Sequence, residues 1–462
     1  MKQIRKNTIK IMVLLISLFA VVAVYLLYDM AVYSNRWINS ANNPRLDVLR
    51  RTNITGGIFD RNGVTLAGVS AGKRTYPDDR DLRLAIAHVI GDQYGFSSTG
   101  VETLKASTLL GNNESIVEFI KRAISQNYTH GSDITLTIDS NLNKKAMDLL
   151  SGYAGAIVLI NYHTGEILSM ASAPSFDPEK IDPSKANGGT SGDELVNRAI
   201  QGQYAPGSIF KIITFAAASG AMDLEQWSFD CPGFFTTGGR PVTCPAEHGE
   251  QDIQKAFAES CNSAFAQLGL DSGYRSMVST AKKAGFNKNF VFDDIILYSS
   301  HMSLNACSES DEIAFAAIGQ HQDIVSPLHM AMLAGAIANG GSVMTPRLLL
   351  AVEDQPRAII PKVAYEAYNA QTAARLDVLM SAAVEEGTGV KAQIPGYRVC
   401  GKTGTAEVSE SGDLAPHSWF IGYISGQSPL AIAVIMENAG AGGDKAAAAA
   451  GKMLKYALDL GY

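Results

Sequence analysis

The chain has 462 residues and a mass of 49.2 kDa, with 46% hydrophobic and 18% charged residues. This composition supports two or three folded domains and excludes a chain that is mainly disordered. The net charge of −7 argues against a nucleic-acid partner bound through bulk positive charge. Five cysteines exclude a disulfide-rich scaffold, and without any CxxC or HExxH sequence we expect no metal site.

The N-terminus predicts a single membrane anchor. Its first ten residues include four basic and no acidic residues, and the uncharged 18-residue run 11–28 follows. As a helix this run would be about 27 Å long, close to the ~30 Å hydrocarbon core of a bilayer. The positive-inside rule makes residues 1–10 a cytoplasmic tail, so we expect a single-pass cell-membrane protein with an extracytoplasmic body. The alternative is a cleaved signal peptide, whose apolar core is normally only about 7–15 residues long.

Residues 29–132 are predicted to form a small membrane-proximal accessory domain. In segment 55–67, two β-prone pieces flank the sequence Asp60-Arg-Asn-Gly63, and Asn-Gly favours a hairpin turn. The segment 107–126 is predicted to be a helix, broken at 111–113 by Gly-Asn-Asn.

Residues 133–462 are predicted to form a second, larger domain. Hydrophobic patterning predicts strands at 134–138, 156–160, 166–170, 418–424 and 430–436, and helices at 141–150 and 445–460. The middle of the domain, residues 200–385, is predicted to be mostly helical. Strands near both ends of this domain predict an α+β fold, with an antiparallel sheet covered by helices and an all-helical subdomain.

Two short motifs carry the first candidate chemistry. Ser208 and Lys211 are three residues apart on a predicted helix that opens after a Pro-Gly turn, so they share a face. A lysine whose pKa is lowered by burial can accept the proton of a serine hydroxyl, and the helix N-terminus offers N–H groups to an oxyanion. Ser260 and Asn262 add a hydroxyl and an amide. Either motif alone is also typical of an ordinary helix start or loop.

A third motif follows the β-prone run 397–400. On a strand, Lys402 and Gly404 would point to one face, and Thr403 and Thr405 to the other. Residues 396–403 also match the nucleotide-binding pattern GxxxxGK[ST]. We reject that interpretation, because a P-loop follows a strand and opens a helix, whereas β-prone residues lie on both sides of Lys402.

The ordered set SxxK, SxN and KTG is typical of penicillin-binding proteins and class A β-lactamases. Over nearly its whole length the chain resembles class B penicillin-binding proteins. The flanking segments that carry this resemblance are Asn197-Arg-Ala199, His248-Gly249, His417-Ser-Trp-Phe420, Gly100-Val-Glu102 and the 57–63 segment, which has Gly56 where the family usually has Arg.

The resemblance implies the penicillin-binding transpeptidase fold for residues 133–462 and a D,D-transpeptidase that cross-links peptidoglycan stem peptides. Ser208 would be the nucleophile and Lys211 its base. Ser260 would relay a proton to the leaving amine, Asn262 would position substrate and Lys211, and Lys402 would support the proton path.

Further roles also follow from the resemblance. Thr403 and Thr405 would bind the terminal carboxylate, Gly404 would let the substrate approach the strand, and the N–H groups of Ser208 and Thr405 would form the oxyanion hole. No cofactor is implied. β-Lactams would be covalent inhibitors, and a membrane glycan polymerase of the shape, elongation, division and sporulation family would be the partner.

Two alternatives remain open. A D,D-carboxypeptidase or β-lactam-hydrolysing relative would replace the acceptor amine with water. A non-catalytic scaffold would bind a glycan polymerase through its anchor and accessory domain, but a scaffold has no physical need for Ser208 and Lys211.

Other cysteines and histidines near the motifs are predicted to have structural roles. Cys231 and Cys244 lie in a Gly/Pro/Thr-rich loop and form a candidate disulfide outside the membrane, with two reduced thiols as the alternative. Cys261 is expected to be a small buried filler. His248 and His417 are expected to hold their loops by hydrogen bonds.

Overall fold

A computed structural model describes residues 2–39, 43, 46, 53–111, 130–181, 192–353, 360–408 and 413–462. Helix α1 spans Lys2–Ile38, and its stretch Gln3–Tyr33 is long and apolar enough to cross a membrane. Leu14 and Phe19 in this stretch are 69% and 74% exposed, so its apolar surface is not covered by the described part of the protein. The helix extends past the predicted span 11–28 at both ends, since the flanking residues also favour helix.

The first sheet consists of five short strands. In spatial order they are β12 (Leu349–Val352), β4 (Ile134–Leu136), β1 (Ile58–Phe59), β2 (Thr65–Ser70) and β3 (Lys73–Thr75). Strands β1 and β2 form the predicted hairpin, in which the Asp60 carboxylate accepts the N–H groups of Asn62 and Val64. Because β4 and β12 lie beyond residue 132 in the chain, the predicted domain boundary does not separate this sheet from the rest.

Three short helices accompany this sheet: α2 (Arg80–Ile90), α3 (Val101–Leu104) and α4 (Ala106–Leu109). Of the helix predicted over 107–126, only the part up to residue 111 lies within the described residues.

A buried ion pair ties the first sheet to α3. The Arg74 guanidinium contacts the Glu102 carboxylate at 2.7 Å, and these side chains are only 3% and 7% exposed. Arg74 also donates to the carbonyl oxygen of Gly56. A Cβ atom at position 56 would collide with the carbonyl oxygen of Ser132. In this packing, position 56 has no room for a larger side chain.

The central sheet has five antiparallel strands. Their spatial order is β14 (Val399–Ala406), β15 (His417–Ile424), β16 (Leu430–Met436), β5 (Gly155–Asn161) and β6 (Ile167–Ala173). The strands predicted at 156–160, 166–170, 418–424 and 430–436 are thus confirmed and meet in this sheet, whereas the one predicted at 134–138 lies in the first sheet as β4.

Helices cover both faces of the central sheet. On one face, β16 residues pack in a core with α5 (Ser140–Leu149) and α12 (Ala446–Asp459), and on the other with α10 (Pro327–Ala338). Every residue of β16 is buried as a result, which accounts for its continuous apolar sequence. The predicted α+β fold is confirmed.

The middle of the chain is less purely helical than predicted. Besides α10, its helices are α6 (Lys211–Ala221), α7 (Ile253–Ala258), α8 (Asn262–Lys283), α9 (Ser310–Ala317) and α11 (Ala370–Glu385). Six short strands pair between them: β7 (Ser228–Cys231), β8 (Phe234–Thr237), β9 (Arg240–Thr243), β10 (Gly249–Asp252), β11 (Ser342–Met344) and β13 (Val363–Glu366). These strands have only three or four residues each and many exposed side chains, so the sequence shows little alternation there.

Candidate active site

Ser208 lies in the turn that opens helix α6. The turn Gly207–Phe210 is a 3-10 helix, so the α-helix predicted from near Ser208 begins at Lys211. Gly207 has a φ of +54°, and a Cβ atom there would collide with the carbonyl oxygen of Thr405. Glycine is therefore required at this position, and its close contact brings the first motif against the third.

Lys211 joins the first motif to the second. Its side chain is fully buried, and Nζ donates to the backbone oxygen of Ser260 at 2.6 Å and to Asn262 Oδ1 at 2.9 Å. A further contact of 3.2 Å reaches Ser260 Oγ. Burial lowers the pKa of Lys211 from 10.5 to about 7, against a weaker opposing effect of the Cys261 and Cys244 sulfurs. About half of the amine is therefore neutral at pH 7 and able to accept a proton.

Lys402 joins the third motif to the second. Its Nζ donates to Ser260 Oγ at 2.8 Å and to the backbone oxygen of Thr403 at 3.1 Å. Burial, and next the charge of Lys211, hold the pKa of Lys402 well below its usual value. Ser260 itself has a φ of +59°, a conformation that costs about 1–3 kcal/mol in a residue other than glycine. The contacts from both lysines hold the residue in this conformation.

The third motif lies on β14, as predicted, and the strand continues through Lys402 and Thr403 to Ala406, where a P-loop would open a helix. The rejection of the nucleotide-binding pattern is thus confirmed. Thr403 Oγ1 contacts Thr388 Oγ1 at 2.6 Å, and the carbonyl oxygen of Thr405 accepts a hydrogen bond from Gln320 Nε2 at 3.1 Å. Sequence reasoning missed Thr388 and Gln320, since neither lies in a motif or beside one.

One cleft brings the motif residues together. It has a volume of about 1010 Å³, and its lining includes Ser208, Ser260, Asn262, Thr403 and Thr405. The two buried lysine amines reach it through Ser260 Oγ.

The surroundings of Gly404 give its missing side chain a role in packing, in addition to the predicted approach of a substrate. A Cβ atom at this position would meet Ile209, Trp419 and the backbone oxygen of Pro206 at 3.0–3.1 Å. The missing side chain therefore allows β14 to pack against the opening of α6, and the substrate-binding role of Gly404 stays a prediction.

The structure confirms the expected role of one of the two histidines and brings the other close to three cysteines. His417 Nδ1 accepts the N–H of Asn438 at 3.1 Å, which confirms its loop-holding role. His248 Nδ1 is buried without a hydrogen-bond partner among the described residues. Cys231 and Cys244 are free thiols whose sulfurs lie 3.7 Å apart, so their disulfide stays a prediction. The expectation of no metal site stays a prediction, although Cys231, Cys244, His248 and Cys261 place four potential ligand atoms within 4.8 Å of one another.

Comparisons with known proteins agree with this geometry. The family described as the penicillin-binding protein transpeptidase domain matches residues 155–455. The chain is 31% identical over 412 residues to the peptidoglycan D,D-transpeptidase PbpA of Mycolicibacterium smegmatis, an alignment that covers 82% of this chain and 81% of that protein. It is 29% identical to the peptidoglycan D,D-transpeptidase MrdA of Haemophilus influenzae, over 71% of this chain and 56% of that protein.

Solved structures show the same relationship. The ceftriaxone acyl-enzyme complex of penicillin-binding protein A from Mycobacterium tuberculosis superimposes with a TM-score of 0.79 and 27% identity, covering 89% of this chain and all of that one. The chain therefore belongs to the penicillin-binding protein transpeptidase family, as a class B member.

Proposed function

We propose that this chain, a serine-type peptidoglycan D,D-transpeptidase by family, forms its acyl-enzyme on Ser208. The observation that carries the assignment is the convergence of two buried lysine amines on one hydroxyl. Lys211 Nζ and Lys402 Nζ lie 3.2 Å and 2.8 Å from Ser260 Oγ, in a cleft that Ser208 also lines. This arrangement can move protons without any bound cofactor.

In the first half-reaction, Ser208 Oγ attacks the carbonyl carbon of the penultimate D-Ala, and its proton passes to the neutral Lys211 amine. The C–N bond to the terminal D-Ala then breaks, and the leaving amine takes a proton through Ser260 Oγ, which both lysines contact. The N–H groups of Ser208 and Thr405 would stabilise the oxyanion. A positioned base contributes about 10²–10⁴-fold to the rate, and one oxyanion donor about 10²–10³-fold.

In the second half-reaction, an amine of a neighbouring stem peptide attacks the ester carbon, and the bond to Ser208 Oγ breaks. The proton lost by the amine returns to Ser208 through Lys211. The Thr403 and Thr405 hydroxyls line the cleft where a terminal carboxylate would bind. β-Lactams would occupy the same site as covalent inhibitors, as the acyl-enzyme complex of the related protein A illustrates.

We also propose that α1 anchors the protein as a single-pass span, with the catalytic domain outside the cytoplasmic membrane. The four basic residues before the apolar run support this orientation. Protease treatment of intact spheroplasts should then digest the body of the protein, and protection of that body would refute the orientation. A membrane glycan polymerase of the shape, elongation, division and sporulation family is the proposed partner, reached through the anchor and the accessory domain.

The test of the site is covalent labelling of the full chain, in detergent, with a fluorescent penicillin. Wild type should give a stable adduct, Ser208→Ala should give none, and Ser151→Ala, in an exposed turn, should label like wild type. Label retained by the Ser208→Ala variant would refute the assignment. Rapid loss of label would favour the hydrolytic alternative, and a folded protein that never labels would favour the scaffold.

A further inference from the structure

We propose that Cys231, Cys244, His248 and Cys261 form a tetrahedral zinc site that abuts the second catalytic motif. These four residues, the cysteine–histidine cluster, place three sulfurs and one imidazole nitrogen within 4.8 Å of one another. Three thiolates and a histidine are a ligand set typical of structural zinc sites.

The sulfur spacing fits a metal ion better than a disulfide. Cys244 Sγ lies 3.7 Å from Cys231 Sγ and 3.7 Å from Cys261 Sγ. Tetrahedral zinc with Zn–S bonds of about 2.3 Å requires sulfurs about 3.8 Å apart. A disulfide bond is about 2.05 Å long and joins only two of the three sulfurs. It would leave the third thiol and the imidazole without a function in the same small space.

The imidazole supplies an independent observation. His248 Nδ1 is shielded from solvent and makes no hydrogen bond with the described residues, although a buried ring nitrogen normally has a partner. A metal ion among the three sulfurs would satisfy this nitrogen. Cys231 and Cys261 are fully buried, so the cluster also excludes the water that would compete for the ion.

Hydrogen-bond donors around the sulfurs would stabilise the thiolate form of the cysteines. The N–H of Ser263 donates to Cys244 Sγ at 3.3 Å, and the Ser263 hydroxyl lies 3.2 Å from the same sulfur. The N–H of Ala264 donates to Cys261 Sγ at 3.4 Å. Such donors orient metal ligands and stabilise their charge, and losing one typically costs 10–100-fold in metal affinity.

The four ligands come from three segments, since Cys244 and His248 share the loop between β9 and β10. Cys231 ends β7, Cys244 follows β9, His248 precedes β10, and Cys261 lies immediately before α8. Strands β7 to β10 pair only in two-stranded sheets with many exposed side chains. Because a metal contributes its binding free energy to folding, one ion here would add a further connection between these partly exposed strands and the core helix α8.

The site would also position the catalytic motif, an effect that rests on the function proposed above. Cys261 lies between Ser260 and Asn262, and both neighbours contact Lys211. Ser260 has a φ of +59°, so the backbone at this point must be held in place. A metal bond at Cys261 would fix the backbone at the residue between the two that contact Lys211. Cys231 and His248 are therefore positioning residues.

The first experiment measures metal content. The full chain, purified in detergent without chelators, should contain one zinc ion per chain by mass spectrometry. Replacing zinc with Co²⁺ should give the visible absorption of a tetrahedral site and a thiolate-to-cobalt charge-transfer band. Cys231→Ser and His248→Ala should each weaken zinc binding by more than the ~10–100-fold expected for an outer partner. Cys307→Ser, which changes an exposed cysteine outside the cluster, should bind zinc like wild type.

A thiol count separates the two chemistries. Denatured under non-reducing conditions with a chelator, the zinc protein should show five free thiols, whereas a disulfide would leave three. Three thiols, or wild-type protein without zinc or a thiolate–cobalt band, would overturn the proposal even if no variant folds.

A second measurement separates this inference from the function. Ser208→Ala should keep its zinc while losing penicillin labelling, so failure of the metal site and failure of the nucleophile assignment are distinguishable. Chelation of wild type should slow acylation and re-addition of zinc should restore the rate. Cys231→Ser should be slow with or without zinc. Acylation unchanged by removal of the zinc would refute the positioning effect alone.

Discussion

The buried amine of Lys211 predicts the pH dependence of acylation. A general base acts only when it is neutral, so acylation by penicillin should follow the unprotonated fraction of Lys211. Since burial lowers this pKa to about 7, the second-order rate constant should rise with pH and level off above about pH 8. Below pH 7 it should fall by about tenfold per pH unit.

The lowered pKa of Lys211 sets how much neutral base is present at pH 7. At pH 7, a lysine with a pKa of 10.5 is neutral in about one molecule in 3,000, whereas about half of the Lys211 side chains are neutral. Burial therefore raises the concentration of competent base on the order of 1,500-fold. Removing the base altogether should cost about 10²–10⁴-fold in rate.

The assay is stopped-flow acylation by a fluorescent penicillin from about pH 5 to 9, a window centred on the expected pKa. Lys211→Met should acylate slowly at every pH, without the inflection near neutrality. Lys455→Met, which changes an exposed lysine paired with Asp459 on α12, should reproduce the wild-type profile. A wild-type rate that is flat across the window, or an inflection that persists in Lys211→Met, would refute the reasoning.

Three further predictions concern stability. Arg74→Ala should lower the free energy of unfolding by about 3–5 kcal/mol in a urea titration, because Glu102 would stay buried without its cation. A loss below roughly 1 kcal/mol would contradict this. Gly207→Ala should lower both melting temperature and acylation rate, whereas Gly220→Ala, with open space at its Cβ, should stabilise α6 by about 0.5–1 kcal/mol. Burial lowers the pKa of His329 to about 4 from 6.5, so below pH 6.5 the unfolded chain binds this proton more readily than the folded protein does. The free energy of unfolding should therefore fall by up to about 3 kcal/mol between pH 6.5 and pH 4. The melting temperature of His329→Gln should decline less steeply with falling pH than that of wild type. Equal slopes for the two proteins would contradict the role given to His329.

The predictable parts of the fold are those with a strong local signal. β16 is a continuous apolar run because both of its faces are buried, and the hairpin at Asp60 is specified by an Asn-Gly turn. The strands β7 to β10 escaped prediction because four-residue, half-exposed segments carry almost no periodicity. The three motifs of the candidate site could be recognised because each spans at most five residues, and their catalytic roles stay a prediction.

The amino-acid sequence alone specifies the available side-chain chemistry: a serine and lysine on one turn, a second serine with an asparagine, and a lysine–threonine strand, all following an apolar run long enough to span a membrane. The contact of Lys211 and Lys402 with the same Ser260 depends on the packing of the whole domain, because it joins residues 49 and 142 positions apart. The same holds for the pKa of Lys211, which depends on burial, and for the cysteine–histidine cluster, whose members come together from three segments. Distances between remote residues and the exclusion of water are properties of packing, and no local pattern encodes them.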